Sequence, residues 1–298
     1  MGHRRGTMPR PALARMHPPN RISRGPRTGP LGLGRWIPAL GLPILVCSMP
    51  GCFLFRSHEV GQLNYRVSRL APADLARKAE EADALYREPR TPERVEKSYL
   101  ASLDSISPAN RWQGLWHAAR AAVWLAERLS DEDRRKAYAR KAVAAAREAV
   151  RRNPERVESH YYLCLCLAQF SSILRSPKFI REMASVAETT LLKDERYDRA
   201  GAHRFLGLLN LRCEGIAFLG FGDFDRAIEH LRRAVDLFPE DAENRLAYVE
   251  ALIKDDEFDA ARRELDAALA SKPPPDYQQE HAEWLLKAKG LKEEIGEK

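Results

Sequence analysis

The sequence predicts an all-α fold: a right-handed solenoid of about five helical hairpins with a C-terminal capping helix. Three observations predict it. Phe224, Ala227, Leu231, Ala234 and Pro239 align with Phe258, Ala261, Leu265, Ala268 and Pro273, each pair 34 residues apart. A fixed period of that length marks a helix-turn-helix unit stacked on copies of itself. Ala142, Ala146 and Ala149 precede Pro154 by 12, 8 and 5 residues, the intervals that separate Ala227, Leu231 and Ala234 from Pro239. Composition agrees: 44% hydrophobic and 31% charged residues, with Gly and Pro crowded early, suit a helical body behind a different N-terminus. The residue types explain the repeat. Alanines seven apart share a helix face and let a neighbouring helix approach. The leucine between them is the hydrophobic plug. The proline lacks an N–H and ends the helix.

Residues 1–35 form a basic leader with eight arginines and no Asp or Glu. Of 49 basic residues, 41 therefore remain against 42 acidic ones. The formal charge of +7 belongs to the leader, so the main support for a nucleic-acid role disappears. Residues 36–55, WIPALGLPILVCSMPGCFLF, are uncharged, and Pro38, Pro43 and Pro50 make them a poor membrane-spanning helix. Basic region, apolar region and then Gly51-Cys52 resemble a bacterial lipoprotein signal, with Cys52 as the lipid-attachment residue. Met49 and Pro50 depart from the usual pattern. An uncleaved, kinked anchor and an organelle-import leader are the alternatives. Residues 56–70 read as a tether, and residues 71–298 as the repeat domain.

Within that domain, Ala71-Pro72 starts a helix running to about Glu88, and Thr91 is the N-cap of the next, which stops before Pro108. The second hairpin spans Asn110 to Leu129 and Asp131 to Arg152. Its Trp112 and Trp116, four apart, are expected on one helix face. The third has Val157 to Phe170 and about Phe179 to Lys193. The fourth covers Arg199 to Phe238, turning at Gly222-Asp223, with Gly215 expected at a close helix approach. The fifth covers Asp241 to Ser271. After Pro273-Pro274-Pro275, Tyr277 to Ile295 makes a polar last helix that covers the final apolar face.

Catalytic motifs are missing: no nucleophile elbow, phosphate-binding loop, HExxH or loop-bracketed acid cluster stands in the sequence. No enzyme activity, cofactor or metal is expected. Cys164-x-Cys166 points its thiols to different sides of a helix, with no second pair to complete a zinc site. His160 and Cys164 share a face, but a helix histidine beside small buried hydrophobes accounts for them.

The 34-residue unit is of the tetratricopeptide type. The hairpin from Trp112 to Tyr162 is more specific. Leu115-Trp116, Ala119-Arg120-Ala121, Asn153-Pro154 and Ser159-His160-Tyr161-Tyr162 resemble two related groups: bacterial TRAP-transporter T-component lipoproteins and the regulator-of-microtubule-dynamics proteins. Gly201 to Gly207 also looks like the T-component pattern. The T-component resemblance implies a periplasm-facing protein of the bacterial cell envelope that associates with a solute-binding protein and holds a hydrophobic ligand.

In a helical stack the first helix of each pair lines an inner groove suited to a protein or peptide partner. The repeat register places Arg212, Glu243, Leu246 and Glu250 there, and the earlier hairpins place Trp112, Leu115 and Tyr161. The expectation from residues alone is a non-enzymatic adaptor, tethered to a membrane through its N-terminal segment. The alternative is a transporter accessory.

Overall fold

The computed structural model describes residues 63–174, 177–213 and 222–296. The leader, the apolar segment with Cys47 and Cys52, residues 56–62 of the expected tether and Gly215 lie outside these residues.

Eleven α-helices pair in chain order among the described residues. The first hairpin is α1 (Pro72–Tyr86) with α2 (Pro92–Asp104), and the second α3 (Gln113–Arg128) with α4 (Glu132–Arg152). The third is α5 (Val157–Leu174) with α6 (Ile180–Lys193), and the fourth α7 (Tyr197–Arg212) with α8 (Phe224–Leu237). The fifth is α9 (Ala242–Lys254) with α10 (Phe258–Leu269), and α11 (Gln278–Gly296) closes the series. That is the expected count of five hairpins plus a cap.

Local chemistry sets most boundaries. Thr91, Asp131, Asp223 and Asp241 stand at N-cap positions and accept from backbone N–H groups of the first turn, so orphan donors are satisfied by their own neighbours. Gly222 adopts φ 95°, which a side chain would resist, and hands the chain to Asp223. The repeat alanines and leucines do what their register requires: Ala227, Leu231, Ala234, Ala261, Leu265 and Ala268 are all fully buried. The close approach between α7 and α8 falls at Gly207, where an added Cβ would meet Leu231 Cγ at 2.5 Å.

Besides α5, which runs on to Leu174 where an end at Phe170 was expected, two features differ from the expectation. Pro108–Asn110 form a 3-10 turn, and Arg111 and Trp112 follow in the left-handed region at φ 55° and 60°, so the helix starts at Gln113. Trp112 is therefore not on the helix face that carries Trp116. It lies under the Arg152 guanidinium at 4.4 Å, whereas Trp116 stacks on Tyr162. The second difference is inside α7, where Asp198, Arg199 and Ala200 are all left-handed. Such positions cost about 1–3 kcal/mol each and persist only where surrounding contacts impose them.

Alanines make the interior of the first three hairpins a tight helix-on-helix core, filled by Leu125, Val143, Leu167, Phe170 and Met183. A separate cluster of Leu246, Val249, Leu252, Leu265 and Ile295 joins α9, α10 and α11. Here α11 acts as the cap, its Ala288 and Ile295 sealing the last apolar face.

Candidate binding groove

The inner face is built from the odd-numbered helices, which contact one another in succession from α1 to α9 and on to α11. On α3, Trp116 and Arg120 are one turn apart and face α1 and α5. The Arg120 guanidinium lies 4.1 Å from the Tyr86 ring and donates to Asp83 at 2.8 Å. Trp116 stacks on Tyr162, and Tyr161 meets Tyr162 and Tyr197 edge-on. Burial pushes the Tyr86 phenol up to about 12 and Tyr161, Tyr162 and Tyr197 upward as well, so this wall stays neutral.

The left-handed turn in α7 aims Asp198 at the middle of that wall. Its carboxylate accepts from the Tyr161 and Tyr277 hydroxyls and from Arg199. Arg199 also pairs with Asp241 and Glu243, and Arg204 pairs with Glu243 at 3.0 Å. Asn244, fully buried, ties the fourth hairpin to the fifth: its amide donates to Arg199 O and Ala234 O and its Oδ1 accepts from Arg204. Burial holds the Glu243 carboxyl above its ordinary value even though Arg204 and Arg199 oppose it.

The groove is closed by the chain itself. The start of α11 crosses to the opposite end of the stack and meets the loop between α1 and α2. Glu88 accepts from the backbone N–H groups of Gln278 and Gln279 at 2.8 and 2.7 Å. Arg90, 7% exposed, donates to Glu280 at 2.5 Å and to Asp276 O at 2.8 Å. Its own N–H donates to Gln279 Oε1 at 3.0 Å. Further along, Arg128 grips Glu283 with two bonds of 2.6 and 2.9 Å. The first and last hairpins are thus joined through α11.

The residues expected in the groove separate into two groups. Arg212, Glu243 and Glu250 are half-buried on the inner side and paired: Arg212 with Glu250, Glu250 with Lys287 of α11, Glu243 as above. Tyr161 is at the wall but 3% exposed, its hydroxyl consumed by Asp198. Leu115 and Leu246 are corrections. Leu115, with no exposure, packs with Ile106 and Ala149 inside the second hairpin, and Leu246 packs against the α10 and α11 residues. An apolar residue of a first helix is drawn to the hairpin interior. The inner face is carried instead by aromatics and arginines. Trp112 lies at the rim beside Arg152.

Sequence reasoning missed Tyr86, Arg90, Arg120, Asp198, Arg199, Arg204, Tyr277 and Glu280. A signal existed for two of them. Arg120 and Arg204 are lone charges inside otherwise apolar helix stretches, where a charge survives only if paired. The three described cysteines are free and buried, with Cys164 held near Met183 O, and His160 bonds Pro154 O at 2.8 Å.

The architecture, paired helices on a 34-residue period, defines a class. A tetratricopeptide-repeat family model matches residues 218–283. The thermophilic TPR protein TTC0263 of Thermus thermophilus superposes with a TM-score of 0.50 at 20% identity, over 72% of this chain and 100% of that one. The chain has the tetratricopeptide-repeat fold, and its residues 218–283 match that repeat family. Residues 79–189, which hold the Trp116–Tyr162 wall, match the model of regulator of microtubule dynamics protein 1-3, and the chain resembles that family. No curated protein matches the chain.

Proposed function

We propose that the chain is a non-enzymatic protein-interaction adaptor, held at a membrane by its N-terminal segment, whose inner face receives a peptide or helix of its partner. One observation carries this: guanidiniums, carboxylates and aromatic rings converge on the inside of a helical repeat stack, a surface suited to reading a polypeptide. Tetratricopeptide folds are typically scaffolds, which supports the non-enzymatic reading. Among the described residues no helix is long and apolar enough to cross a membrane, so the tether rests on residues 36–55 and on Cys52. Lipid labelling of wild type and of Cys52→Ala tests that part. Loss of label with accumulation of an uncut precursor supports acylation, and membrane fractionation at the uncut wild-type mass supports an uncleaved anchor. Affinity capture from solubilised membranes tests the adaptor. Arg120→Glu should lose what wild type captures, and Leu192→Glu, on the outside where Leu192 is 89% exposed, should keep it. Equal capture by both variants rejects the inner face.

A second reading is a transporter accessory that binds a solute-binding protein or a small molecule. Trp116 Nε1, Arg120 Nε and Trp124 Nε1 lie one turn apart along α3, buried and without hydrogen-bond partners among the described residues. A buried orphan donor costs about 1–3 kcal/mol. A ligand with an apolar body and an acceptor head would satisfy them better than a purely hydrophobic one. Native mass spectrometry of the purified chain tests this: a retained mass that Trp116→Phe releases supports it.

A further inference from the structure

The seam between α11 and the first two hairpins holds a helix cap supplied from a distant part of the chain; α1, α3, α6, α7 and α10 also have no side-chain cap of their own. Helices α2, α4, α8 and α9 carry their own N-caps in Thr91, Asp131, Asp223 and Asp241. Before α11 stands Tyr277, whose side chain belongs to none of the residue types that cap well. Its orphan N–H groups are served from 190 residues away by Glu88, at 2.8 and 2.7 Å. Arg90 then reads the acid at the third position of the helix, Glu280, and Arg128 the acid at the sixth, Glu283. Together Glu88, Arg90 and Arg128 form a receptor for the N-terminus of an acidic helix: one carboxylate for the free N–H groups and two guanidiniums for carboxylates one turn apart. Arg90 is nine-tenths buried, flanked by the Tyr86 and Tyr277 rings at 5.3 and 5.8 Å, and its Nε is without a partner.

The two sides of α11 also differ in chemistry. Its apolar side, with Trp284, Ala288, Leu291 and Ile295, is packed on α9 and α10. Its seam side is hydrogen-bonded and charged, and Glu283 is 47% exposed. The polar seam side is thus the one whose contacts a competing charged helix could replace group for group.

We infer that this seam is the partner-recognition site: Glu88, Arg90 and Arg128 bind the N-terminal turns of an acidic helix from a partner protein, and α11 is the internal occupant that such a helix displaces. This deepens the adaptor reading and rests on it. Charge complementarity selects the occupant, since two guanidiniums at fixed positions demand carboxylates at the third and sixth positions.

The test uses the full chain and a fluorescein-labelled peptide of residues 275–287. Full-length E280R/E283R, whose own α11 no longer fits, should bind the peptide at least tenfold tighter than wild type by fluorescence anisotropy. A peptide carrying Gln at both glutamate positions should lose at least tenfold. Equal binding by the two chains, or undiminished binding of the Gln peptide, overturns the inference. Should E280R/E283R fail to fold, hydrogen exchange on wild type decides. Amides 278–284 exchanging ahead of those in α9 and α10 support an opening seam, and exchange only with global unfolding overturns it. Concentration-dependent wild-type dimers that E280R/E283R abolishes would place a second copy of this chain on the receptor and overturn the separate partner. These measurements use purified components. Failed capture from membranes therefore leaves them standing, and failed peptide binding leaves the rest of the inner face as the adaptor surface.

Discussion

Asp198 gathers two phenols and a guanidinium on one carboxylate in the middle of the inner wall. Asp198→Asn removes one of the three carboxylates that face Arg199 and weakens three charge-assisted hydrogen bonds, which together should cost about 3 kcal/mol. Tyr161→Phe deletes one hydrogen bond and keeps the ring, so its loss should be nearer 1–2 kcal/mol. Urea unfolding of the two variants should rank them in that order, and the reverse order would make the phenol wall, not the charge, the organising element. Histidine titration is the second test at this scale. His117 is 2% exposed and pushed down to about 3, first by burial and then by Arg120. The folded state keeps it neutral while the unfolded chain takes a proton near 6.5. Its contribution is thus complete above that pH and lost as pH falls below it, on the order of 1 kcal/mol per pH unit. Glu127, raised to about 7 by burial, works the other way, favouring the fold at low pH and losing that contribution as pH rises through 7. The difference between wild type and His117→Gln isolates the histidine. Wild type should lose more stability than the variant between pH 6.5 and 5.

The hairpin is the unit at which sequence and structure agree best, because its signals are local. Alanines at fixed spacing, a proline after the helix and an N-cap side chain are all written within 34 residues, and the structure places each where it was expected. Ala227→Leu should separate α8 from its neighbours and destabilise by about 1–3 kcal/mol in thermal unfolding. Gly207→Ala, against Leu231, should fall in the same range. No change in melting temperature for either would mean that the helices do not cross there. What the sequence concealed depends on distance and backbone conformation. The left-handed residues Asp198 to Ala200 have no glycine to announce them. Arg90 and Glu280 are ordinary surface charges until the fold brings their ends of the chain together. Register fixes which helix lines the inner side, not which side chain on it turns inward. Leu115 and Leu246 followed hydrophobicity into the interior.

At the scale of the molecule, α11 does two jobs, sealing the last hairpin and joining it to the first. Deleting residues 272–298 removes both, leaving Leu246, Val249 and Leu265 uncovered. That truncation should aggregate or melt well below wild type, whereas Arg128→Ala, which breaks the partly exposed pairs with Glu283 and Glu127 and uncovers no apolar face, should cost less. A truncated chain as stable as wild type would show that the last face needs no cover. The joined ends also bear on how the protein is made. A linear repeat array can fold pair by pair as it leaves the ribosome, each unit resting on the one before. Here Glu88 and Arg90 emerge early, and their partners lie 190 residues later. Until translation reaches Glu280, Arg90 has Glu88 and the Tyr86 ring beside it but none of its partners from the last part of the chain. Contacts of such sequence separation form late and slowly. If the seam recognises a partner as we infer, the newborn chain presents those side chains before α11 exists to cover them, and a partner helix present then meets no internal competitor.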